Sequence, residues 1–163
     1  MHAPFEKLIA DLAFEVGHLS AEDIEAHPIG DPSRWNIRQL VEHLILTYRR
    51  SGANFDERLA KGRPSKYRAT LRQSVAKFAV LSFGFFPRGV EAPAAVIPAA
   101  EPDHPTDGGA LATLFARELE AVNAKLDQCQ HEFGRKPFAT HQVLGMLNAE
   151  QWRKFHVVHA RHH

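Results

Sequence analysis

Apolar residues recur at helical spacing through most of this 163-residue chain. Because an α-helix turns about 100° per residue, apolar side chains three and four positions apart form one face that can be buried. The pattern predicts helices from Phe5 to about Gly17, from Ile37 to just before Gly62, from Tyr67 to about Phe83, from Leu111 to just before Gly134, and from Asn148 onward, with a short helical turn after Ser20. Only weak strand signals occur, near Val96 and over 140–144. The sequence therefore predicts an all-α protein.

A proline-rich stretch divides these helices into two groups. Between Gly84 and Gly109 the chain contains Pro87, Pro93, Pro98, Pro102 and Pro105. Proline lacks a backbone N–H and breaks helices, so this stretch must be a long irregular crossover, and loops of that length usually have a function. Helices of this length joined by one long crossover predict a helical bundle, formed by residues 1–163 as a single domain.

Composition narrows the class of protein. Hydrophobic residues make up 44% of the chain and charged residues 24%, as in globular proteins. No apolar run is long enough for a membrane-spanning helix, and the N-terminus lacks the features of a secretion signal, so we expect a cytoplasmic protein with no membrane partner. Cys129 is the single cysteine, which excludes an internal disulfide. We expect it to be a small core residue rather than a nucleophile.

The charge distribution argues against a nucleic-acid partner. The formal net charge is only +1, which gives no overall positive field. Basic residues do cluster in one stretch, at Arg49, Arg50, Arg58, Lys61, Arg63, Lys66, Arg68 and Arg72. A phosphate-binding patch is one interpretation of this cluster. Asp56 and Glu57 interrupt it and few aromatic residues are interleaved, so we favour a solvated helix face and loop.

Four histidines lie in the last eight residues, at His156, His159, His162 and His163. In a helix, His159 and His163 lie four apart on one face, where both rings can reach one metal ion. Helical spacing also makes His156 and His159 neighbours, so geometry alone does not choose the pair. His43, beside the apolar stripe of the helix that begins at Ile37, is the candidate third ligand.

A histidine-only set suits several metals. Neutral imidazole is a ligand for zinc, nickel, iron and copper, and no thiolate or carboxylate narrows the choice. Three protein ligands with one open position resemble catalytic zinc sites, whereas structural sites usually have four. The competing interpretations are a hydrogen-bonded core histidine at position 43 and an exposed helix end, or a fragment of an affinity tag, for His159 and His163. Ala160 and Arg161 interrupt the histidines, which argues against a tag.

Three stretches of the chain, taken in order, resemble the DinB-like superfamily: Trp35 to Leu44, Phe86 to Pro93, and Gly145 to His163. The middle stretch is similar to a domain-of-unknown-function branch of that superfamily. The resemblance implies a four-helix bundle of DinB-like type, often dimeric, so we expect a homodimer. It also implies a divalent metal bound by one histidine of the second main helix and an i, i+4 pair of the last. By motif, these ligands are His43, His159 and His163.

The resemblance also implies a class of activity. Some members of the superfamily are thiol-dependent transferases or isomerases that use bacillithiol, mycothiol or glutathione, but a shared fold does not transmit a substrate. The leading hypothesis is a metal-dependent enzyme, with zinc or nickel favoured over iron or copper, that activates a small external thiol or water against a small-molecule substrate. The alternatives are a non-catalytic metal or small-ligand binding bundle and a helical interaction module.

Overall fold

The computed structural model describes residues 1–86, 92–101 and 106–163, and these are mostly helical. The helices are α1 (Ala3–Val16), α2 (Ala21–Glu25), α3 (Ile37–Lys61), α4 (Leu71–Phe83), α5 (Gly108–Phe133) and α6 (Ala149–His162), with a 3-10 turn at Ala94–Val96 and the strands β1 (Ala139–His141) and β2 (Gly145–Leu147). The predicted all-α class is confirmed, since the described residues contain only one two-stranded sheet. The predicted four-helix bundle stays a prediction. Pro87, Arg88, Pro102 and Pro105 of the predicted crossover lie outside the described residues.

Local capping interactions set where several helices begin. Asn148 accepts a hydrogen bond from the backbone N–H of Gln151, whose side chain accepts one from the N–H of Asn148. Thr70 and Gln73 form the same reciprocal pair at the start of α4. The predicted start of this helix at Tyr67 is therefore wrong. The Thr70 cap directs the chain into the helix only at Leu71.

The β1–β2 hairpin was visible in the sequence only as a weak signal. Its two strands have three residues each and pair antiparallel, with Thr140 opposite Met146. The turn is stabilised by the imidazole of His141, whose Nδ1 accepts backbone hydrogen bonds from Val143 and Leu144, both 3.1 Å long. Three residues are too few for an alternating pattern to stand out, which is why the sequence did not predict these strands.

The described chain forms two compact units, and one of them comprises Met1–Arg50 and Ala92–Glu120. Its fully buried side chains include Phe5, Ile24, Ile45, Tyr48, Phe115 and Leu119. The backbone N–H of Gly108, the first residue of α5, donates to the carbonyl of Leu19 over 3.0 Å. A Cβ at Gly108 would lie only 1.9 Å from the carbonyl oxygen of Val16, so this close approach requires glycine.

The other unit comprises Ser51–Glu91 and Ala121–His163. An aromatic cluster lies in its core, where the ring of Phe55 is 5.6 Å from that of Phe138 and 5.0 Å from that of Trp152. Helix α4 packs against α6 and β2. None of the helices in the described part of the chain has both the length and the apolar character needed to span a bilayer.

The apolar stripe predicted for α4 is not a core stripe. Leu71, Val75 and Phe78 occupy the expected helical spacing, yet all three side chains are exposed. The buried positions of α4 are instead Val80 and Leu81, near its end. The spacing correctly indicated a helix with an apolar face, but it did not indicate which face packs against the protein.

Candidate metal centre

His43 lies on α3, with its side chain buried. Its Nδ1 is 2.7 Å from the carbonyl oxygen of Val96, and its ring lies 5.1 Å from the indole ring of Trp35. Because a carbonyl oxygen can only accept, Nδ1 carries the proton of the neutral imidazole, and the lone pair is on Nε2. A metal-binding histidine commonly donates its second nitrogen to a backbone carbonyl in this way. His43 is therefore both a hydrogen-bonded buried histidine and one that presents a ligand atom.

The electrostatic environment keeps His43 suited to metal binding. Burial lowers the pKa of His43 below its ordinary value, and the hydrogen bond to Val96 opposes that shift. A lowered pKa keeps the imidazole neutral near pH 7. Only the neutral ring can donate a lone pair to a metal ion, so this environment favours a ligand over a protonated, positively charged histidine.

The segment that carries the Val96 carbonyl is attached to α3 a second time, through Arg38. The guanidinium of Arg38 is fully buried and donates to the carbonyl oxygens of Ala99 and Ala100 at 3.0–3.3 Å. It also donates to Glu25 at 2.5 Å and to Glu42 at 2.6 Å. One side chain thus pairs with two carboxylates and holds the backbone three to four residues after Val96.

His159 and His163 lie one helical turn apart at the end of α6. Their Nε2 atoms are 3.1 Å apart. His159 is buried and stacks on Phe155, with ring centroids 5.4 Å apart and planes 11° from parallel, whereas His163 is exposed. The ring of Phe86 also lies at this helix end, with its centroid 5.4 Å from that of His159 and 5.1 Å from that of His162.

His43, His159 and His163 lie close enough to hold a metal ion. Each offers one ring nitrogen, and the three atoms lie within 4.8 Å of one another. Two nitrogens that share a tetrahedral zinc ion are separated by about 3.3 Å, given zinc–nitrogen bonds of about 2.0–2.1 Å. The 3.1 Å separation of His159 and His163, which is a hydrogen-bond distance between the two rings, is close to that value. Imidazole is a ligand for zinc, nickel, iron and copper, and a backbone hydrogen bond like that of His43 is common among metal-binding histidines.

His156, the alternative partner of His159, lies in the core and not in the three-histidine group. His156 is fully buried and stacks on Trp152 at 5.8 Å, and it is not a member of the three-histidine group. Burial, with a smaller contribution from the charge of His141, lowers the pKa of His156 to about 3. We conclude that His156 is a neutral core residue.

His141, the last residue of β1, is a partly buried histidine whose packing the sequence did not indicate. Its ring lies 4.3 Å from that of Phe155, and burial lowers its pKa to about 4. The short hairpin carries this side chain into the aromatic cluster of α6. No local sequence signal marks it, because its burial depends on how the hairpin packs on a helix.

Cys129 is a core residue, as the sequence predicted. Its side chain is fully buried. Burial, and secondarily the charge of Asp56, raises the pKa of its thiol to about 12. Such a thiol is protonated at neutral pH and is a poor nucleophile. Any thiol used in a reaction must come from outside the chain.

The chain matches a known protein family. The profile of a family described as "Protein of unknown function (DUF1569)" matches residues 5–163. The chain belongs to this family. This confirms that the chain belongs to a family of unknown function, whereas the prediction that this family is a branch of the DinB-like superfamily stays a prediction. No curated protein and no solved structure matches the sequence.

Proposed function

We propose that this DUF1569 protein is a metal-dependent enzyme whose His43, His159 and His163 bind one divalent metal ion, zinc or nickel in preference to iron or copper. The observation that carries the proposal is the convergence of three ring nitrogens within 4.8 Å. The hydrogen bond from His43 Nδ1 to Val96 supports it, because it orients the ring and fixes the tautomer.

The proposed reaction follows from the number and kind of ligands. A bound ion with three protein ligands supplies an open position at which water or a thiol becomes more acidic near neutral pH. In this proposal the residues of the chain bind the ion and orient the imidazole rings that hold it. Val96 holds the proton of His43 on Nδ1, and aromatic rings lie against two of the three ligands, Trp35 against His43 and Phe86 against His159.

The proposed substrate class is a small molecule that reacts with a small external thiol or with water. Cys129 does not supply the thiol, because it is buried and its pKa is raised. The resemblance to DinB-like proteins supports thiol-dependent S-transfer or isomerisation. A non-catalytic metal or small-ligand binding protein, or a helical interaction module, is the alternative that the experiments below distinguish.

The first experiment measures metal content. Untagged, dialysed wild-type protein should contain about one divalent metal ion per chain by elemental analysis. The variants His43→Ala and His159→Ala should lose it. The matched control is His162→Ala, which removes a neighbouring imidazole of the same helix end that is not a member of the group. Metal retained in His43→Ala, or lost equally in the control, would contradict the proposed ligand set.

A second experiment separates the function classes. Metal-loaded wild-type protein is assayed with bacillithiol, mycothiol and glutathione against electrophilic acceptors, with His43→Ala as the reference. Turnover that depends on His43 supports the enzyme. Tight metal binding without turnover supports the binding protein. Absence of metal, together with a melting temperature unchanged by added zinc or nickel, supports the interaction module, because a ligand of the native state stabilises it by mass action.

A further inference from the structure

The positive charge of this chain is concentrated in one segment. Residues 58–86 contain seven of the 20 lysine and arginine residues and none of the 19 aspartate and glutamate residues. The rest of the chain has 13 basic and 19 acidic residues and is net negative. A net charge of +1 therefore conceals a strong asymmetry, and such asymmetry favours a negatively charged partner at the basic segment.

The same segment carries a concentration of exposed apolar side chains. Leu71 is 82% exposed, Val75 62% and Phe78 63%. Their spacing of four and three residues places them on one face of α4. Further exposed apolar residues of the described segment are Tyr67, Phe83 and Phe85. Large contiguous apolar patches are uncommon on a surface that faces only water, and they mark sites of contact.

Exposed basic side chains precede this apolar stripe in the sequence and continue into its first turn. Arg63, Lys66 and Arg68 are exposed in the segment before α4, and Arg72 is exposed within it, next to Leu71. Within the described part of the chain, none of these four side chains forms an ion pair with a carboxylate. Their charges are therefore available to an anionic partner. We call Arg63, Lys66, Arg68 and Arg72, together with Leu71, Val75 and Phe78, the basic apolar face.

We propose that the basic apolar face docks on an anionic lipid surface. An apolar helix stripe with basic neighbours is the pattern of helices that lie in the interface of a membrane, with leucine and phenylalanine in the acyl boundary and lysine and arginine at the headgroups. This departs from the expectation of no membrane partner, which was based on the lack of a spanning segment and not on surface chemistry.

Charge favours this occupant over a second copy of the chain. A symmetric dimer places the same patch on both subunits, so a shared α4 face would bring together two segments of the same positive charge. Anionic headgroups instead attract each basic residue near the surface, and this attraction falls off within a Debye length. The aliphatic side chains of Leu71 and Val75 also gain nothing from stacking on bases, which argues against single-stranded nucleic acid.

The test is sedimentation with vesicles, using the full chain. Wild-type protein should bind phosphatidylcholine vesicles that contain about one third phosphatidylserine, and not pure phosphatidylcholine vesicles. Raising the salt from about 0.1 M to about 0.5 M should weaken binding, since it screens exposed charges. The double variant Arg68→Glu/Arg72→Glu should lose at least about 30-fold in partition coefficient. Leu71→Ser/Phe78→Ser should lose about 10-fold or more.

The controls are exposed residues outside the face. Arg50→Glu and Phe14→Ser make the same chemical changes at exposed positions and should bind vesicles as wild type does. Circular dichroism checks that each variant is folded. Failure of the wild type to bind phosphatidylserine vesicles, or undiminished binding by both double variants, would overturn the proposal. A dimer in light scattering that Leu71→Ser/Phe78→Ser dissociates, without vesicle binding, would assign the face to a second copy instead.

Discussion

Arg38 offers the sharpest test of how the structure supports His43. The substitution Arg38→Met keeps most of the side-chain length and removes the guanidinium. It removes the ion pairs of Arg38 with Glu25 and Glu42 and the hydrogen bonds of Arg38 to Ala99 and Ala100. Breaking a buried ion pair costs about 3–5 kcal/mol. The two carboxylates are 31% and 29% exposed, so water partly solvates them, and we expect the low end, about 3 kcal/mol.

Urea denaturation should therefore show Arg38→Met less stable than wild type by about 3 kcal/mol, and the melting temperature should fall by about 6–12 °C. The matched control is Arg117→Met. Arg117 is 69% exposed and pairs with Glu118, so this loss should stay below about 1 kcal/mol. If Arg38→Met and the control destabilise equally, the assignment of Arg38 as a buried clamp is wrong.

The same substitution should weaken metal binding at His43. Arg38 holds the backbone after Val96, and the Val96 carbonyl orients the imidazole. Loss of such an outer partner usually lowers metal affinity about 10–100-fold. The control for general destabilisation is Arg153→Met, a second buried arginine, whose partners on α5 do not hold Val96. Competition with a chelator measures the affinity. Equal metal affinity in wild type and Arg38→Met would refute the link between Arg38 and His43. It would not contradict the proposed ligands.

Three further predictions follow from particular residues. Burial lowers the pKa of His156 to about 3 and of His141 to about 4. Both values lie below the ordinary value of about 6.5, so stability is full above that pH and falls on acidification by up to about 1.4 kcal/mol per pH unit for each histidine. Urea titrations between pH 7 and pH 4 should show this slope, and His141→Asn, which keeps a backbone acceptor, should reduce it. Gly145→Ala should destabilise the protein by more than about 1 kcal/mol, because φ at Gly145 is 70° and the new methyl group would lie 2.7 Å from the methyl group of Ala69. The control Gly52→Ala, in the middle of α3, should not destabilise it by this amount. Cys129 should react with a thiol reagent only as fast as the protein unfolds, and rapid labelling of the native state would contradict its burial.

The helices were largely predictable because their signals are local. Asn148 and Gln151 form a capping box at the start of α6, the helix that the sequence predicted from Asn148 onward. The largest displacement of a helix start is at α4, where the apolar Tyr67 was given more weight than the cap at Thr70. Helix α5 begins at Gly108, three residues before the predicted Leu111. Both kinds of signal act within one helical turn, so they can be read from neighbouring residues.

The sequence predicted only part of the candidate metal centre. The i, i+4 spacing of His159 and His163 follows from helix geometry, and the chain indeed brings their nitrogens to 3.1 Å. The choice between His156 and His163 could not be made in the same way, because both are neighbours of His159 on the helix surface. Packing against Trp152 removed His156 from the choice. His43 was a candidate from its place beside the apolar stripe of α3, and the resemblance to a family implied the same residue.

The amino-acid sequence alone determined the helical class, most helix boundaries and the spacing of the terminal histidines, because hydrogen bonds and caps within an α-helix join residues at most about four apart. Tertiary packing decided which faces are buried. It exposed the Leu71 stripe, placed His141 of the short hairpin against Phe155, and gave His43 its partner at Val96, 53 residues away. Such contacts depend on the positions of distant segments, which no local pattern specifies.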